Sequence, residues 1–383
     1  MLENSYIEIN ITALLSNLEF IKSTLNSDCE LTSVVKGNAY GHGIVSFVPT
    51  AFACGIRSFA VFSASEAKQV LDTNLAFDRI LIMGNIDESQ LDWAVENDIE
   101  FYVFEQARLN QTVKVAKKLK KQAKIHIEVE TGLNRTGFSK SDLLPLLDFM
   151  KRHEEFISLE GLCSHLAGAE NVANYYRIKK QINRFNQFEK LFAKNNIEVK
   201  AKHLACSAAV MNFPNSQKNL ARIGIMQYGL WPSKEVRMAH FVKKKNMDDP
   251  LKAVLSWKSY VMSIKRVKMG EYIGYGSSLM AEKDMLIATV PVGYADGFAR
   301  SLSNHGKVLI GGQRLDVVGT INMNLFMVDI TNLSSIKKGD EVVLIGTQGK
   351  HAITVASFSD FSSQLNYELL TRLPKDIPRI ITN

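Results

Sequence analysis

Val34-Val35-Lys36-Gly37-Asn38-Ala39-Tyr40-Gly41-His42-Gly43 joins a short apolar run, Leu31 to Val35, to a glycine-rich turn. The run reads as a buried strand and the glycines end it. Lys36 is therefore predicted on the last residue of that strand, aimed into whatever lies above the sheet. A lysine there loses hydration, which lowers its pKa and makes the amine a usable nucleophile or base. Gly37, Gly41 and Gly43 let the backbone approach a ligand, and Tyr40 can reach a phosphate oxygen. Together these features suit a lysine that holds pyridoxal phosphate (PLP) as a Schiff base. An isolated Val-Val-Lys also reads as a snorkelling lysine at a strand end. The rest of the chain has to decide.

Outward from this stretch, apolar strand-like runs alternate with amphipathic helical ones. The predicted strands are Leu31–Lys36, Arg57–Phe62, Arg79–Met83, Glu100–Phe104, Lys124–Glu130, Ile157–Cys163, Val199–Leu204 and Leu220–Ile225. Between them fall helical patterns at Ser65–Leu71, Glu88–Glu96, Ala107–Gln122, Ser141–Lys151 and Tyr175–Lys194. Ahead of them, Tyr6–Asn10 alternates like a strand, and Thr12 is placed to cap a helix running to about Leu25. Eight strands joined by helical crossovers are the arithmetic of a parallel (β/α)8 TIM-type barrel, an α/β fold. A doubly wound open sheet is the alternative, weakened because no Gly-x-Gly-x-x-Gly follows the first strand.

The barrel reading demands reactive residues at the C-terminal ends of strands. Lys36 ends the first, Arg135 follows the fifth, His165 the sixth and Ser207 the seventh, while Arg222, Gly224 and Ile225 belong to the eighth. Each alone has a plain explanation, such as a helix cap for Ser207 or a surface ion pair for Arg135. A purely structural barrel has no need of this set on one rim.

Bulk properties agree with a globular protein. The 383 residues exceed one ordinary domain, and 46% hydrophobic with 22% charged residues suffices for a large core. No apolar run approaches a membrane span, and Met1-Leu2-Glu3-Asn4-Ser5 lacks the basic and apolar regions of a secretion signal. A cytoplasmic location without a membrane partner is expected. The formal charge of +7 is modest, and the lysines of Lys114 to Lys124 and Lys243 to Lys245 accompany no nucleic-acid motif. The first cluster reads as a solvated helix face, the second as linker, so no nucleic-acid partner is expected. Cys29, Cys54, Cys163 and Cys206 lack metal-site or redox spacing, so reduced thiols and no metal are expected.

After Trp231-Pro232-Ser233 the pattern changes. Phe241 to Pro250 reads as a charged, proline-terminated linker, and closely spaced runs follow at Ala253–Val267, Met285–Val292, Lys307–Ile310, Leu315–Val318, Leu325–Ile330 and Glu341–Ile345. They predict a second, mainly β domain, with a helical pattern near Ala356–Leu373. The expected division is a barrel over 11–240 and a β domain over 241–383. Three tyrosines of the second part sit in distinctive settings: Gly274-Tyr275-Gly276, Tyr294 in Pro291–Gly297, and Tyr367 in Asn366-Tyr367-Glu368.

With these segments, the Lys36 stretch, Arg222–Gly229 and Gly270–Gly276, essentially the whole chain resembles the alanine racemases. The resemblance implies a PLP-binding β/α barrel followed by a β domain that the first residues join as a strand, in a homodimer with shared active sites. It implies PLP-dependent, two-base interconversion of L- and D-alanine, supplying D-alanine for peptidoglycan. Lys36 matches the Schiff-base lysine and first base, and Tyr275, from the partner subunit, the base on the opposite face. A phenol titrates near pH 10 in isolation, so it needs help, and His165 is placed to link Tyr275 to Arg222. Arg222 matches the donor to the pyridine nitrogen. Tyr40, Ser207, Gly224, Ile225 and Tyr367 match the phosphate-binding set, Arg135 and Met323 the contacts to the substrate carboxylate, and Glu170, Tyr294 and Arg300 the entrance, which Tyr367 narrows.

The sequence departs from the family pattern at three places. Glu128 stands where many relatives carry a carbamylated lysine, and its carboxylate can supply that charge to Arg135 directly. Asn324 replaces a common aspartate beside Met323, and Gly37 the usual alanine after the lysine. A racemase of another amino acid is the nearest alternative. Fold-sharing decarboxylases use a glutamate at the pyridine nitrogen, against which Arg222 speaks. Non-catalytic PLP-binding proteins of the single-barrel kind lack the second domain.

Overall fold

The computed structural model describes residues 3–242, 248–333, 335–357 and 366–383. The chain divides into two compact units, one of Ala13–Gly37 with Val48–Lys252, the other of Met1–Thr12, Asn38–Phe47 and Ala253–Asn383.

Strand β1 (Ser5–Asn10) belongs to the second unit. The next eight are β2 (Glu30–Val34), β3 (Ser58–Val61), β4 (Arg79–Ile82), β5 (Glu100–Val103), β6 (Ala123–Glu128), β7 (Ile157–Cys163), β8 (Ala201–Cys206) and β9 (Leu220–Ile223). They pair in parallel, in chain order, and β9 returns to β2 with Arg222 opposite Thr32, closing the barrel. Closure disposes of the open-sheet alternative. Every residue of β3, β5 and β9 is buried, because a barrel strand is covered inside by its neighbours and outside by helices. That double burial is why these strands read as unbroken apolar runs. Two of the crossover helices start at side-chain caps: Ser63 accepts from the Glu66 N–H, and Asp87 forms a capping box with Gln90.

Some boundaries differ from the sequence reading. The first helix begins at Ile11, so Thr12 lies inside its first turn instead of capping it. Asn10 is still tied as strand, its N–H donating to the Val254 carbonyl. The seventh barrel strand runs Ala201–Cys206, two residues beyond expectation. Lys234–Val242 is helical, so the stretch read as a linker starts inside a helix. Lys243 to Lys245 lie outside the described residues.

The second unit is a ten-stranded sheet. Its further members are β10 (Leu255–Tyr260), β11 (Ser263–Val267), β12 (Met285–Val290), β13 (Lys307–Ile310), β14 (Gln313–Val318), β15 (Phe326–Asp329), β16 (Glu341–Gln348), β17 (His351–Ile353) and β18 (Arg379–Thr382). The order is β11-β12-β15-β14-β13-β16-β10-β1-β18, with β17 on β16. β1 lies antiparallel to β10 and parallel to β18. The run expected over Ala253–Val267 is two strands, because the backbone changes partner at its middle: Val261 donates to Asp340 and Met262 to Thr289. Of the helical pattern near Ala356–Leu373, Asn366–Thr371 is helix, and 358–365 lie outside the described residues.

Candidate active site

Within the barrel unit, the end of β2 is fixed before Lys36 begins. The Val34 carbonyl accepts from Gln227 Nε2 at 3.0 Å and from the Tyr228 hydroxyl at 2.9 Å. Val35 donates to the Ala60 carbonyl at 2.8 Å. Lys36 is not the last strand residue but the first of a short helical turn. The strand cannot continue, because Gly37, Asn38, Ala39, Tyr40 and Gly41 all have positive φ, between +51° and +83°. The turn is left-handed.

Three of those five residues carry a Cβ, and each costs about 1–2 kcal/mol in this conformation. Such strain persists only where surrounding bonds over-determine it. Here they do. The Gly37 N–H donates to Glu66 Oε1 at 2.7 Å. In the second unit, Gly43 donates to Asn38 O at 2.9 Å, and His42 Nδ1 lies 3.0 Å and 3.1 Å from the carbonyls of Ala39 and Tyr40. Burial pulls the His42 imidazole down to about 4, which keeps it neutral. Gly37, at +63°, and Gly41, at +83°, carry no Cβ and avoid that cost. Gly37→Ala is expected to lower stability by about 1 kcal/mol, read from denaturant unfolding at unchanged m-value.

Lys36 stays solvent-accessible, yet its ammonium is held below the ordinary lysine range. Burial among the walls of the barrel mouth is the main cause, reinforced by the positive charges of Arg135 and Arg222 and opposed by Glu66. Accessible area in an open mouth does not restore full hydration. His165 is driven down to about 3 by burial, then by Arg222, Arg135 and Lys36, so it is neutral. Its loop is held by Gln181, which donates to the His165 carbonyl at 2.9 Å and accepts from the Ala167 N–H.

Arg222 is buried and spends three of its five N–H groups on protein. Nη1 donates to His203 Nδ1 and to the His203 carbonyl, and Nη2 to the Ser164 carbonyl at 2.8 Å. Ser207 Oγ accepts from the Gly224 N–H at 3.0 Å, which leaves the hydroxyl proton available. The Gly224 N–H is thereby spent on Ser207, holding that side chain at the start of its helix. Ile225 opens the following turn. Glu128, inside the barrel, accepts from Thr136 at 2.7 Å, and burial raises its carboxyl pKa against the opposing pull of that bond, Arg135 and Arg222. Lys36, Arg135, His165, Arg222 and Glu128 therefore act on one another electrostatically, as one cluster.

In the second unit Tyr40 and Tyr367 meet edge to face, ring centroids 6.2 Å apart. Gly41 lies so close to the Leu370 carbonyl that a Cβ would sit 1.9 Å from it. Tyr275 projects from a turn between two left-handed glycines, Gly274 and Gly276, and is 72% exposed. Thr320 Oγ1 donates to its carbonyl, and Val267, Ile273, Ile287 and Met327 form the core beneath. Tyr294 and Met323 are backbone neighbours, with Tyr294 donating to Asn322 O and Ala295 to Met323 O. Tyr294, Met323 and Arg300 are exposed, while Glu170 of the barrel unit is half-buried. Sequence reading passed over Gln227, Tyr228, Glu66 and Gln181, the polar side chains that fix the loops carrying Lys36 and His165. The signal available was a glutamine–tyrosine pair in an otherwise apolar stretch.

Comparisons with known proteins follow the same division. Residues 9–232 match the family model described as alanine racemase, N-terminal domain, and residues 254–381 that described as alanine racemase, C-terminal domain. An alanine racemase of Clostridium novyi (strain NT) is 35% identical over 378 residues, covering 97% of this chain and 94% of that one. Among solved structures, the alanine racemase of Clostridium difficile 630 superposes with a TM-score of 0.90 at 30% identity, over 100% of this chain and 96% of that one. One from Bacillus anthracis, described with bound L-Ala-P, gives 0.90 at 32% identity over the same shares.

Proposed function

The chain belongs to the alanine racemase family, and on that premise we propose which of its residues carry the interconversion of L- and D-alanine. The reading rests on one observation above others: an amine of depressed pKa, Lys36, clustered with Arg135 and Arg222 on a barrel rim. The donor set suits pyridoxal phosphate. Arg222 retains two N–H groups for a ring nitrogen, Ser207 retains a hydroxyl proton, and Lys36 supplies the amine. We assign the phosphate to Tyr40, Ser207, Gly224, Ile225 and Tyr367 on the family resemblance.

The chemistry that the cofactor supplies when bound is withdrawal of electrons from Cα. Lys36, once freed by the substrate amine, takes or returns the Cα proton on one face. Tyr275 of the partner subunit does so on the other, which is what inversion requires. Its 72% exposure on a braced turn suits a residue offered to a second copy. Arg222, which does not give up its proton, would donate to the ring nitrogen and leave it unprotonated, a weaker electron sink that would favour return of the proton to Cα over transamination. Arg135, with the backbone of Met323 of the partner subunit, holds the substrate carboxylate. On the family resemblance Glu170, Tyr294 and Arg300 are assigned to the entrance, whose width decides whether a side chain larger than that of alanine is admitted. The product serves peptidoglycan synthesis in the cytoplasm.

Chiral chromatography of the protein incubated with pyridoxal phosphate and L-alanine, with L-serine, L-lysine and L-arginine in parallel, tests the substrate. D-alanine accumulating fastest toward a racemic mixture supports the assignment, and a larger amino acid in the lead overturns it. Glu128 is assigned to orienting Arg135. Glu128→Gln is expected to raise KM for alanine roughly tenfold with a smaller effect on kcat. Because the Glu128 pKa is raised, its hold on Arg135 weakens as pH falls through a range above that of an ordinary carboxylate. The wild-type KM therefore climbs on the acid side, and the variant's does not. An unchanged KM in Glu128→Gln removes the role.

A further inference from the structure

A column of polar side chains runs through the barrel interior beneath Arg222. At its foot, Arg79 and Glu100 are the first residues of β4 and β5, and Arg79 Nε donates to Glu100 Oε2 at 2.9 Å. The same carboxylate oxygen lies 2.6 Å from His126 Nε2. His126 Nδ1 is 2.7 Å from His203 Nε2, and His203 Nδ1 faces Arg222 Nη1. Both imidazoles are 0% exposed. The backbone is shaped for them. β7 shifts register beside His126, and Gly161 lies there, where an added Cβ would come within 2.1 Å of His126 Nδ1.

Donor–acceptor counting fixes the direction of every bond. A guanidinium only donates, so His203 Nδ1 accepts and its proton sits on Nε2. That proton goes to His126 Nδ1, which must accept, so the His126 proton sits on Nε2 and goes to Glu100. A proton added to either imidazole leaves two donors face to face. We propose that Glu100, His126 and His203 are positioning residues for Arg222, a one-directional hydrogen-bonded relay whose polarity is set by the Glu100 carboxylate. Reading Arg222 as the partner of the cofactor's ring nitrogen is taken from the proposed function.

The surroundings agree. Glu100 stays ionised below the ordinary glutamate range, the bonds from His126 and Arg79 prevailing over its burial. His203 is driven well below the usual histidine range by burial and then by Arg222. The Tyr102 ring packs 6.2 Å and 5.9 Å from the two imidazoles, and burial keeps its phenol neutral. Glu30, on the opposite side of Arg79 at 2.8 Å, completes the charge at the foot. The relay therefore joins a cation at the mouth to a carboxylate at the base through two neutral rings. Arg222 is held in one orientation, and part of its charge is balanced from within the barrel, where the interaction is screened less than in water.

The test uses the holoenzyme, with histidine labelled at both ring nitrogens with 15N. Long-range 15N–1H correlation at pH 8 is expected to show His126 and His203 as neutral rings protonated at Nε2. Assignment comes from Gly161→Ala, which moves the His126 signals without removing a charge. Glu100→Gln is expected to shift both sets of imidazole signals and the absorbance band of bound pyridoxal phosphate. It lowers kcat roughly tenfold at little-changed KM, and Glu100→Asp recovers part of the loss. An Nδ1 proton or a cation on either imidazole in the wild type overturns the relay, with no variant needed. So does an absorbance band indifferent to Glu100→Gln. The tautomers are read without turnover, so a wrong substrate assignment leaves this result standing.

Discussion

Lys36→Ala is expected to abolish alanine racemisation, lowering kcat by roughly four orders of magnitude or more. Loss of a positioned acid–base group removes about 10²–10⁴-fold. Here the same side chain is also assigned the covalent hold on the cofactor, so both contributions go together. Its depressed pKa sharpens the expectation, because the free amine is populated at lower pH than for an ordinary lysine. The wild-type kcat/KM should accordingly fall on the acid side as that amine takes up a proton. Borohydride treatment of the wild type with pyridoxal phosphate should fix one phosphopyridoxyl group on the chain, mapped by mass spectrometry to the Lys36 peptide. The Ala variant should gain none, while still binding the cofactor through Arg222 and Ser207. Full racemisation by Lys36→Ala, or fixation at another lysine, removes Lys36 from the centre of the reaction. Gly37→Ala separates the effects of turn strain from those of the amine, since it changes the left-handed turn and leaves Lys36 in place.

The barrel was legible because parallel barrel strands are buried on both faces, so β3, β5 and β9 read as short apolar runs bounded by loops. The C-terminal rim followed from that, and with it Lys36, Arg135, His165, Ser207 and Arg222. The left-handed turn after Lys36 was not legible. Asn38, Ala39 and Tyr40 carry no marker of positive φ beyond one asparagine, and the turn is held by His42 at the carbonyls of Ala39 and Tyr40 and by Glu66, 29 residues on, at the Gly37 N–H. The break between β10 and β11 was hidden for a related reason. The apolar pattern continues across Val261-Met262 while the backbone exchanges Asp340 for Thr289 as its partner. The relay was equally hidden. His126 and His203 lie 77 residues apart, and only barrel closure brings their ring nitrogens to 2.7 Å. What the sequence does carry is a histidine in the middle of each of two apolar strands, where a polar side chain must find a partner inside.

Tyr275→Phe is expected to lower racemisation by roughly 10²–10⁴-fold while leaving half of the chemistry intact. Phenylalanine fills the same space on the same braced turn, between Gly274 and Gly276 above the Val267–Met327 core, so folding should be unaffected. Only the hydroxyl is lost, and with it the base for one face. Lys36 can still remove and return a proton on its own face. In D2O, one enantiomer of alanine should therefore exchange its Cα hydrogen without inversion, and the other should neither exchange nor invert, as ¹H NMR of each enantiomer alone will show. Exchange of both enantiomers, with continued racemisation, contradicts a two-base reaction through Tyr275. The same variant tests whether sites are shared between subunits. If Lys36 of one copy works with Tyr275 of the partner subunit, mixing Lys36→Ala with Tyr275→Phe under conditions of subunit exchange creates heterodimers with one complete site and one doubly defective. Random pairing makes half of all dimers mixed, with half of their sites complete, so roughly a quarter of wild-type activity should return. If both residues act within one chain, every site in the mixture lacks one base and no activity returns.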